Sequence, residues 1–418
     1  MAQLQLTTSG ESHGPALTAL VAGMPSGLDL DRSFLNAQLA RRQAGYGRSP
    51  RQKIETDQIT VLGGLRHGRT IGGPLALRVE NHDHANWNAA MNPWPTDTEQ
   101  GNWRDRPIHV PRPGHADLGG IARGAFDDDG LRPVLERSSA RETAARVAAG
   151  AVAQTFLARL GIRVRGYVRG VGDASSDAAT PGELASVWEL LETTELRTVN
   201  TELDARMVAE IDSARADRDT VGGVVEVVAF GLPPGIGGYV TAGERLDGRL
   251  AGVAMSVHAM KAVAIGAGVA LGTGRGSTSH DEMYRAADAD AGAPAGAIGG
   301  DQGMGVTRRS NRSGGIEGGM TTGGPLVLRV AMKPLPTLMR PLATVDLSTG
   351  DAAQAHAERS DTCAIAAAAV ALECAIAFEL ATVLREQFGA QAMVDVEAGF
   401  AAYRTRVRYP MRPPVVLA

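Results

Sequence analysis

Two long segments dominated by alanine constrain the fold of this chain more than any other feature. Residues 144–160 and 362–385 consist largely of alanine, valine, leucine and glycine, with few charges. A helix with small apolar side chains on every face suits a position packed closely between two other layers, and not one on a surface. We therefore predict two buried helices, one in each half of the chain.

The first of these segments follows the run Glu-Arg-Ser-Ser-Ala-Arg-Glu-Thr at residues 136–143. Ser139 and Glu142 have the spacing of a capping box, in which the serine side chain caps the helix and the glutamate side chain accepts a hydrogen bond from the backbone N of the serine. Arg137 and Arg141 lie at the same start, although helix N-termini prefer acidic neighbours. Either a bound anion completes this site, or the two arginines pair with acidic residues elsewhere.

Three sequence blocks of the first half recur, in the same order, in the second half. The pairs are GMPSGL at 23–28 with GLPPGI at 231–236, GGPLALRV at 72–79 with GGPLVLRV at 323–330, and ERS at 136–138 with ERS at 358–360. Ordered recurrence of this kind indicates an internal duplication. Strand-like segments precede each alanine-rich helix.

We therefore predict an α+β fold, an internally duplicated β-α-β sandwich in which the alanine-rich helices pack between two mostly antiparallel sheets. The whole chain, 1–418, is expected to form a single domain with a pseudo-two-fold internal repeat. The two halves are placed at about 1–170 and 221–400.

Four other segments differ in composition. Residues 81–110 are polar, include Trp87 and are expected to form a long excursion. The acidic and polar stretch 172–220 is expected to join the halves at the surface, and residues 285–304 are expected to form a mobile loop. The basic tail after Tyr403 is expected to be loosely held.

Composition argues against several classes of protein. The net charge is −4 and no basic run of five or more residues occurs, which argues against a general nucleic-acid-binding protein. No run of eighteen apolar residues and no signal-peptide pattern at Met1 are present, so we expect a cytoplasmic protein that does not act at a membrane. Cys363 and Cys374 lie too far apart along one predicted helix to bridge each other, and both are expected to be reduced and buried.

Arginine is the strongest chemical signal. Several arginines lie in Gly/Pro-rich loops or at predicted helix starts: Arg42, Arg48, Arg51, Arg112, Arg137, Arg141 and Arg359. A guanidinium group binds carboxylates and phosphates through two parallel hydrogen bonds. Any one of these arginines can be a solvated surface residue, but the group as a whole favours a small polyanionic ligand.

Two histidines lie in glycine-flanked loops, His13 in GESHG and His115 in PGHAD. A loop histidine can act as a general acid near neutral pH, or it can be a structural hydrogen-bonding residue. Asp361 has a similar double interpretation, because an aspartate just before a helix is either its N-cap or, beside a ligand, a base. Lys333 follows a predicted strand, in a turn where a lysine can hold a phosphate or a flavin ring.

The remaining motifs are weak. His82 and His84 stand in a His-Asp-His run, but no third ligand lies nearby in the sequence, so no metal site is predicted. The run His-Asp-Glu at 280–282 is equally inconclusive. There is no Walker loop and no dinucleotide-binding fingerprint between a strand and a helix. These residues alone indicate an enzyme-like binder of a small polyanion.

At these residues the chain resembles the chorismate synthase family over nearly its whole length. The matching blocks are GESHG at 10–14, RRQAGYGRSPRQ at 41–52, RPGHAD at 112–117, ERSSARETAARVAAGAVA at 136–153, NRSGGIEGGMTTGGPL at 311–326, MKPLPT at 332–337 and RSDTCA at 359–364. This set of motifs is highly specific to that family.

The resemblance implies a reaction. In that family, 5-enolpyruvylshikimate 3-phosphate loses phosphate and a C–H proton by anti-1,4-elimination, which gives chorismate at the last common step of aromatic amino acid biosynthesis. The family needs reduced FMN although the reaction has no net redox change, so the cofactor carries the difficult chemistry and the protein supplies position and electrostatics. The two carboxylates and the phosphate of this substrate match the polyanion that the arginines favour.

The resemblance also implies roles for individual residues. His115 would protonate the departing phosphate, His13 would protonate or stabilise the reduced flavin, and Asp361 would act with the flavin in removing the substrate proton. The arginines expected to bind the substrate or NADPH are Arg42, Arg48, Arg141 and Arg359. The positions expected to contact the flavin are Arg137, Ser138, Ser139, His258, Ala259, Gly318, Lys333, Pro334, Leu335, Pro336, Thr337 and Arg359.

Members of the family form homotetramers, so a neighbouring subunit is expected to complete each site. The protein either reduces its own flavin with NADPH or depends on an external flavin reductase. The sequence departs from the family in one region, where the family usually has GVEIGDG and this chain has AVAIGAG at 262–268. Ala264 and Ala267 therefore replace two acidic residues, and His258 stands where the family often has glutamine or asparagine.

Two alternatives stay open. The chain can be a non-catalytic relative that binds a polyanion as a scaffold or regulator, which the changes at Ala264 and Ala267 would favour. The presence of His13, His115 and Asp361 together opposes that interpretation, because a binder needs arginines but no acid and base. The chain can also be a paralogue that acts on a related enolpyruvyl phosphate, which the arginines do not exclude. Turnover with supplied reduced FMN distinguishes these cases.

Overall fold

The computed structural model describes residues 3–48, 56–94, 107–124, 130–176, 188–285, 305–356 and 361–408. These residues form helices and two large sheets, and every strand pair within those sheets is antiparallel. The predicted α+β class is confirmed.

The first part of the chain builds one sheet. The strands of this part are β1 (Gln5–Ser9), β2 (Ala16–Ala22), β3 (Ile59–Gly63), β4 (Leu65–Arg66), β5 (Arg69–Thr70) and β6 (Leu75–Glu80). Four of them form a sheet in the order β1-β2-β6-β3, while β4 and β5 pair as a hairpin. Leu17 and Val21 on β2, and Leu75 on β6, are buried at alternate positions. One face of this sheet therefore packs on the core.

The later strands build the second sheet and several hairpins. They are β7 (Arg163–Val171), β8 (Ala174–Ser175), β9 (Gly223–Phe230), β10 (Met260–Ile265), β11 (Met283–Arg285), β12 (Val306–Arg308), β13 (Ile316–Glu317), β14 (Met320–Thr321), β15 (Leu326–Met332), β16 (Ala343–Val345) and β17 (Ala352–Gln354). The second sheet has the order β10-β15-β9-β7-β8. Its central strand β9 is buried on both faces, because Tyr167, Leu191 and Val327 cover Val228 on the side away from the main core.

The helices of the described residues are α1 (Arg32–Gln43), α2 (Asp117–Arg123), α3 (Arg132–Arg137), α4 (Thr143–Arg159), α5 (Thr201–Ala216), α6 (Leu246–Met255), α7 (Ala270–Thr273), α8 (Gly276–Ser279), α9 (Ile365–Gln387) and α10 (Met393–Arg408). Short 3-10 helices occupy His82–Asn86, Ala140–Glu142 and Ala242–Glu244. Asp31 caps α1, and its Oδ1 accepts a hydrogen bond from Ser33 N at 2.9 Å. The two alanine-rich segments form α4 and α9, as predicted.

Helices α4 and α9 pack directly on each other. A Cβ atom added to Gly150 of α4 would lie 2.3 Å from Cys374 Cβ of α9, so only glycine allows this approach of the two backbones. Helix α4 also contacts β2 and β6, whereas α9 contacts β7 and β9. By length and mean hydropathy α9 would qualify as a membrane span, but 89% of its apolar window is buried inside the protein. Its composition therefore reflects a position in the core.

The two halves share one arrangement of hydrogen bonds at their recurring turns. The hydroxyl of Thr70 donates to a carbonyl of the 23–28 turn at 2.6 Å and accepts from an amide of that turn at 2.9 Å. The hydroxyl of Thr321 makes the same two bonds to the 231–236 turn, also at 2.6 and 2.9 Å. The recurring turns at 23–28 and 231–236 thus have matching hydrogen bonds, whereas the second ERS block, 358–360, lies outside the described residues.

Three other segments were predicted from their composition. The stretch 172–220, expected to be a polar surface connection, contains α5, and one face of this helix is buried in the core. The tail after Tyr403 was expected to be loosely held, which is wrong as far as Arg408, because α10 continues to that residue and Val407 is buried. The loop predicted at 285–304 lies, apart from its first residue, outside the described residues.

Both cysteines are free and buried, as predicted. Cys363 lies two residues before the start of α9, and Cys374 lies within that helix. Burial raises the pKa of Cys363 to about 11, so this thiol stays protonated and unreactive near neutral pH.

Candidate functional site

The Glu-Arg-Ser-Ser run at the end of α3 holds the GESHG loop. The backbone O of Glu136 accepts a hydrogen bond from Ser12 N at 3.0 Å, and its carboxylate accepts one from His13 N at 2.9 Å. The next residue, Arg137, donates to Gly10 O at 3.1 Å. Two motifs that are 123 residues apart in the sequence therefore form one structural unit.

His13 is held on several sides. Its Nδ1 lies 2.9 and 3.0 Å from the two carboxylate oxygens of Glu136. The ring stacks on Trp87 with centroids 3.9 Å apart, and His84 Nδ1 lies 2.9 Å from His13 O. Burial raises the pKa of Glu136, but the hydrogen bonds and charge of His13 outweigh it and hold this pKa below its ordinary value. Glu136 is therefore an ionised acceptor at neutral pH.

Ser139 caps the 3-10 turn that leads into α4, as predicted, and its Oγ accepts a hydrogen bond from Arg141 N at 3.3 Å. The predicted capping box is wrong, because the Glu142 carboxylate faces other partners. It accepts hydrogen bonds from Thr8 Oγ1 at 2.6 Å and from Arg146 Nε at 2.9 Å. Glu142 thereby links the start of the helix to β1.

His258 approaches the same helix start from the second half of the chain. Its Nδ1 lies 3.9 Å from Glu142 Oε2, and this buried nitrogen makes no hydrogen bond with any residue that the structure describes. Burial lowers the pKa of His258. The charge of Glu142 opposes this shift, while those of Arg146, Arg137 and His115 add to it. His258 is therefore neutral at pH 7 and offers an unsatisfied ring nitrogen to a ligand.

The residue after His258 has an unusual backbone conformation. Ala259 has φ = +68°, which is uncommon for a residue with a Cβ atom and is typical of ligand-binding sites. Its carbonyl accepts a hydrogen bond from Lys333 N at 3.0 Å, and Lys333 Nζ donates to Gly114 O. Burial and the nearby Lys261 lower the pKa of Lys333. Lys333 therefore connects the 258–259 turn to the RPGHAD loop.

His115 is held by an acidic residue of its own loop. Its Nδ1 contacts Asp117 Oδ1, and Asp117 is 1% exposed. Arg112 binds the other oxygen of Asp117 through its Nε at 3.0 Å and its backbone N at 2.9 Å, and its Nη1 reaches Thr337 Oγ1 at 3.2 Å. Burial raises the pKa of Asp117, but hydrogen bonds from His115 and Arg112 hold it well below its usual range. An ionised carboxylate therefore orients His115 together with Arg112, whose Nη2 lies 3.1 Å from Nδ1 and 3.2 Å from Nε2 of the ring.

The segment 333–337 borders this loop. Leu335 O accepts a hydrogen bond from Thr220 Oγ1 at 2.8 Å, which fixes the backbone of the segment from one side. On the other side, Pro336 Cβ would lie 3.7 Å from a Cβ atom added to Gly114. The structure thus brings the predicted flavin-contacting segment together with the loop that carries His115.

Arg42, Arg141 and Asp57 form a buried cluster of charges. Arg42 Nη2 lies 2.8 Å from Asp57 Oδ2, and Arg141 Nη2 lies 3.2 Å from Asp57 Oδ1. Asp57 is 3% exposed and Arg42 is 5% exposed. Burial lowers the pKa of Arg42; Asp57 opposes this shift, and the charges of Arg48 and Arg141 add to it. Arg141 therefore has an acidic partner elsewhere in the chain, which it shares with a second arginine. A bound anion at this helix start stays a prediction.

Arg48 extends this cluster. Its Nε lies 3.3 Å from Asp361 Oδ2. The interpretation of Asp361 as a helix cap is wrong, because α9 begins only at Ile365. Arg359 and Arg51, predicted to act in the same region, lie outside the described residues. Among the described residues, the guanidinium groups of Arg42, Arg48 and Arg141 lie near two carboxylates, those of Asp57 and Asp361. Positive charge is therefore in excess in this cluster.

Two of the predicted flavin positions have different surroundings. Ser138 Oγ donates to Val134 O at 2.6 Å within α3. Gly318 forms the turn between β13 and β14 with φ = +61°, and a Cβ atom added there would have no atom within 4 Å. The neighbouring Gly319 O accepts from Leu246 N at 2.9 Å, so this turn packs against α6.

The structure also locates the two positions that depart from the family pattern. Ala264 on β10 lies opposite Arg329 on β15. Arg329 Nε donates to Glu226 Oε2 at 2.6 Å, so this arginine has an acidic partner on β9 although position 264 is an alanine. Ala267 N donates to Arg312 O at 2.8 Å.

The His-Asp-His run supports the GESHG loop. His84 contacts the backbone of His13, and Asp83 Oδ2 accepts a hydrogen bond from Trp87 Nε1 at 3.2 Å. Across the described ranges, no group of three or more His, Cys, Asp or Glu side chains has an arrangement that could hold a metal ion.

Comparison with known proteins decides the family. The chorismate synthase family model matches residues 4–384. This chain belongs to the chorismate synthase family. The chorismate synthase of Rubrobacter xylanophilus is 47% identical over 406 residues, which cover 97% of this chain and 98% of the relative. The chorismate synthase of Syntrophotalea carbinolica is 46% identical over 403 residues, which cover 96% and 98%.

A solved structure agrees with these relatives. A crystal structure of chorismate synthase superposes with a TM-score of 0.75 at 34% identity, and the match covers 97% of this chain and 98% of that chain. The resemblance seen in the sequence motifs is therefore confirmed over nearly the whole chain.

Sequence reasoning missed the residues that orient the predicted site residues. Glu136 and Asp117 stand inside motifs that were noted, but nothing in the sequence indicated that each binds a histidine ring. Trp87 was noted only as part of a polar excursion. Asp57 carries no sequence signal beyond its place after an arginine-rich loop. Glu136, Trp87 and Asp57 contact residues that are distant in the sequence, and Asp117 contacts His115 only because their loop folds back. Periodicity and spacing therefore do not reveal these contacts.

Proposed function

We propose that this protein is a chorismate synthase that converts 5-enolpyruvylshikimate 3-phosphate to chorismate and phosphate with reduced FMN as cofactor. The observation that carries the proposal is a cluster with excess positive charge, formed by Arg42, Arg48 and Arg141, in a protein where two loop histidines are each held by a buried carboxylate. A substrate with two carboxylates and a phosphate complements such a cluster. A mere binder would need the arginines, but not oriented histidines.

In the proposed reaction, a C–O bond to phosphate breaks and one C–H proton leaves the substrate, without net oxidation or reduction. Asp361 would accept that proton. His115 would donate a proton from Nε2 to the departing phosphate while Asp117 holds Nδ1. Arg42 and Arg48 would bind the anionic groups of the substrate and stabilise the charge that develops on the phosphate. Arg141 and Arg359 are proposed to act with them on the substrate or on NADPH.

The residues around His258 fit a bound flavin mononucleotide. The buried Nδ1 of His258 has no partner among the described residues, Arg137 is exposed, and Ala259 holds a left-handed backbone against Lys333. This set offers hydrogen bonds to a polar ring and positive charge to a phosphate. When bound, the reduced flavin would lend electron density to the substrate and recover it. The residues proposed to hold it are Arg137, Ser138, Ser139, His258, Ala259, Gly318, Lys333, Pro334, Leu335, Pro336, Thr337 and Arg359.

We further propose that the protein works as a cytoplasmic homotetramer in the shikimate pathway. A neighbouring subunit would complete each site. NADPH would reduce the flavin, either on this protein or through an external flavin reductase. The names of the bacterial relatives support the pathway, and light scattering of the purified protein tests the tetramer.

We also infer that the chain is one domain built by internal duplication, as a β-α-β sandwich. The matching hydrogen bonds of Thr70 and Thr321 support the duplication, as does the pairing of β6 with β2 and of β15 with β9. The contacts of α4 with the first sheet and of α9 with the second sheet support the sandwich.

The decisive experiment mixes the purified protein with photoreduced FMN and the substrate in the absence of oxygen. Equal amounts of chorismate, by absorbance, and of released phosphate would support the proposal. A repeat in air with FMN and NADPH would distinguish self-reduction from an external reductase. Tight binding without turnover would favour the non-catalytic binder, and Ala264→Glu with Ala267→Asp would be the first changes to make. Turnover of another enolpyruvyl phosphate instead would identify a paralogue.

A further inference from the structure

Glu136 binds His13 at two places. Its Oε2 accepts a hydrogen bond from His13 N at 2.9 Å, and the ring Nδ1 lies 2.9 Å from Oε1 and 3.0 Å from Oε2. The Glu136 side chain is 3% exposed, whereas that of His13 is 18% exposed. The carboxylate is therefore sealed inside the protein, while the imidazole reaches the surface of the site.

The other neighbours fix the ring without competing for its nitrogens. Trp87 covers one flat face of His13, and His84 contacts the backbone O of His13 instead of the ring. Among the described residues, Arg132 is the other charged group at Glu136; its Nη1 lies 3.7 Å from Oε1, and its guanidinium carbon lies 5.5 Å from the Trp87 ring. The Nδ1 edge of His13 thus has an ionised carboxylate as its partner.

A merely structural role does not account for this arrangement. Ser12 N donates to Glu136 O, and Arg137 donates to Gly10 O, so backbone and arginine contacts already secure the loop. Burial of a carboxylate is unfavourable unless hydrogen bonds and charge compensate for it. Here the compensation comes mainly from His13, whose backbone N and ring Nδ1 both contact the carboxylate, and Arg132 adds to it.

A neutral imidazole carries its proton on either Nδ1 or Nε2, and the partner of one nitrogen decides the state of the other. An ionised carboxylate only accepts hydrogen bonds, so Nδ1 of His13 must be the donor. We propose that Glu136 is the positioning residue of His13, which keeps a proton on Nδ1 and presents Nε2 to the bound ligand. The identity of that ligand as reduced flavin rests on the proposed function, whereas the position of the proton does not.

Replacement of Glu136 by glutamine tests this assignment. The carboxylate accepts from both the backbone N and the ring Nδ1 of His13, but an amide has one accepting oxygen and one donating nitrogen. If the oxygen keeps the backbone N–H, the amide NH₂ faces Nδ1, which must then accept. In Glu136→Gln we therefore expect the proton of the neutral ring to move from Nδ1 to Nε2.

The measurement is solid-state NMR of protein labelled with ¹⁵N in the histidine rings, at alkaline pH and without substrate. His13→Asn identifies the His13 signals by removing them. We expect the Nδ1–H form in the unmodified protein and the Nε2–H form in Glu136→Gln. Glu226→Gln is the matched control, because it also removes a carboxylate that is 1% exposed, on β9, and should leave the His13 signals unchanged.

Kinetics give a second readout. With supplied reduced FMN, Glu136→Gln should lower kcat by roughly 10²–10⁴-fold, the range of a general acid–base contribution, with little change in substrate KM. Glu136→Asp keeps the charge and should recover part of the rate. Equal values of kcat in the two variants would show that the charge of the carboxylate does not contribute to turnover, which contradicts the proposal.

Three further results would overturn the proposal. An Nε2–H ring on His13 in the unmodified protein would do so without any variant. So would an unchanged tautomer in Glu136→Gln, or an unchanged kcat despite a moved proton. Failure of the proposed function can be distinguished from failure of this proposal. An unmodified protein without activity would contradict the proposed function, whereas the NMR result is obtained without substrate and tests only the position of the proton.

Discussion

Arg48 Nε lies 3.3 Å from Asp361 Oδ2, so the loop after α1 is tied to the segment before α9. One of these residues is proposed to bind the substrate and the other to take its proton. Asp361→Asn keeps the shape of the side chain but removes the base, so we expect kcat to fall roughly 10²–10⁴-fold with little change in substrate KM. Steady-state kinetics with supplied reduced FMN measures both constants. A raised KM with an unchanged kcat would mean that Asp361 only holds Arg48.

Arg48 itself should show the opposite pattern. In Arg48→Ala the substrate loses a charged partner, so we expect a strong rise in KM and a smaller effect on kcat. The same assay measures it. Arg215→Ala, which removes an exposed arginine paired with Asp212, is the matched control and should leave KM unchanged. An unchanged KM in Arg48→Ala would place Arg48 outside the substrate pocket.

His115→Ala should slow turnover by roughly 10²–10⁴-fold with flavin binding retained, because the departing phosphate loses its proton donor. Single-turnover kinetics and a flavin titration test the two parts of this expectation. Asp117→Asn leaves the histidine in place but removes the ionised acceptor of its Nδ1, and should also slow turnover. Normal rates in His115→Ala would remove this residue from the mechanism.

Asp57→Asn should destabilise the protein without ligand by about 3–5 kcal/mol, because it leaves buried positive charge at Arg42 and Arg141 uncompensated. Inorganic phosphate should restore more stability to this variant than to the unmodified protein, since a bound anion replaces the lost charge. Urea denaturation with and without phosphate measures both effects. Asp212→Asn is the surface control, and equal losses in the two variants would contradict the buried cluster.

The buried carboxylate of Glu373 should make the stability of the protein depend on pH. This residue of α9 is fully buried, and its carboxylate accepts from Arg41 Nη1 at 2.7 Å and from Gly166 N at 2.8 Å. Burial raises its pKa, but the charge and hydrogen bonds of Arg41 lower it to about 2. A folded pKa below the unfolded value, about 4.3, means that stabilisation is complete above that value and is lost as pH falls towards 2.

The free energy of unfolding should therefore fall more steeply between pH 5 and about 2 in the unmodified protein than in Glu373→Gln, because only the former must protonate this carboxylate. Denaturant titrations at several pH values measure the two slopes. Parallel slopes would show that Glu373 is not ionised in the folded core. The variant is also expected to be less stable at neutral pH, since Arg41 loses its buried partner.

Part of this molecule was predictable from sequence. The alanine-rich composition of α4 and α9 predicted their burial, because a helix without a polar face has no stable surface position. The motifs also identified His13, His115 and Asp361 as candidates. Ser139 was recognised as a cap, but Glu142 binds Thr8 and Arg146 instead of completing the capping box. Local spacing cannot reveal that, since β1 approaches the helix only in the folded chain.

The pairing of charges was beyond sequence reasoning for the same reason. Asp57 compensates Arg42 of α1 and Arg141 just before α4, and these residues lie near each other only because α1 packs against α4. Asp361 was assigned equally to a helix cap or a base, and only the start of α9 at Ile365 decides against the cap. Long-range electrostatics therefore required the structure, whereas burial and motif identity did not.

The contact between Gly150 and Cys374 has a consequence for how the chain reaches its active form. Helix α4 is complete early in synthesis, but its partner α9 lies near the end of the chain, and the two backbones meet without intervening side chains. Contacts between such distant segments form late and slowly during folding. The turn before α4, which carries Arg141, and the segment before α9, which carries Asp361, therefore reach their final arrangement only after the two helices have packed, so completion of the candidate site is coupled to completion of the core.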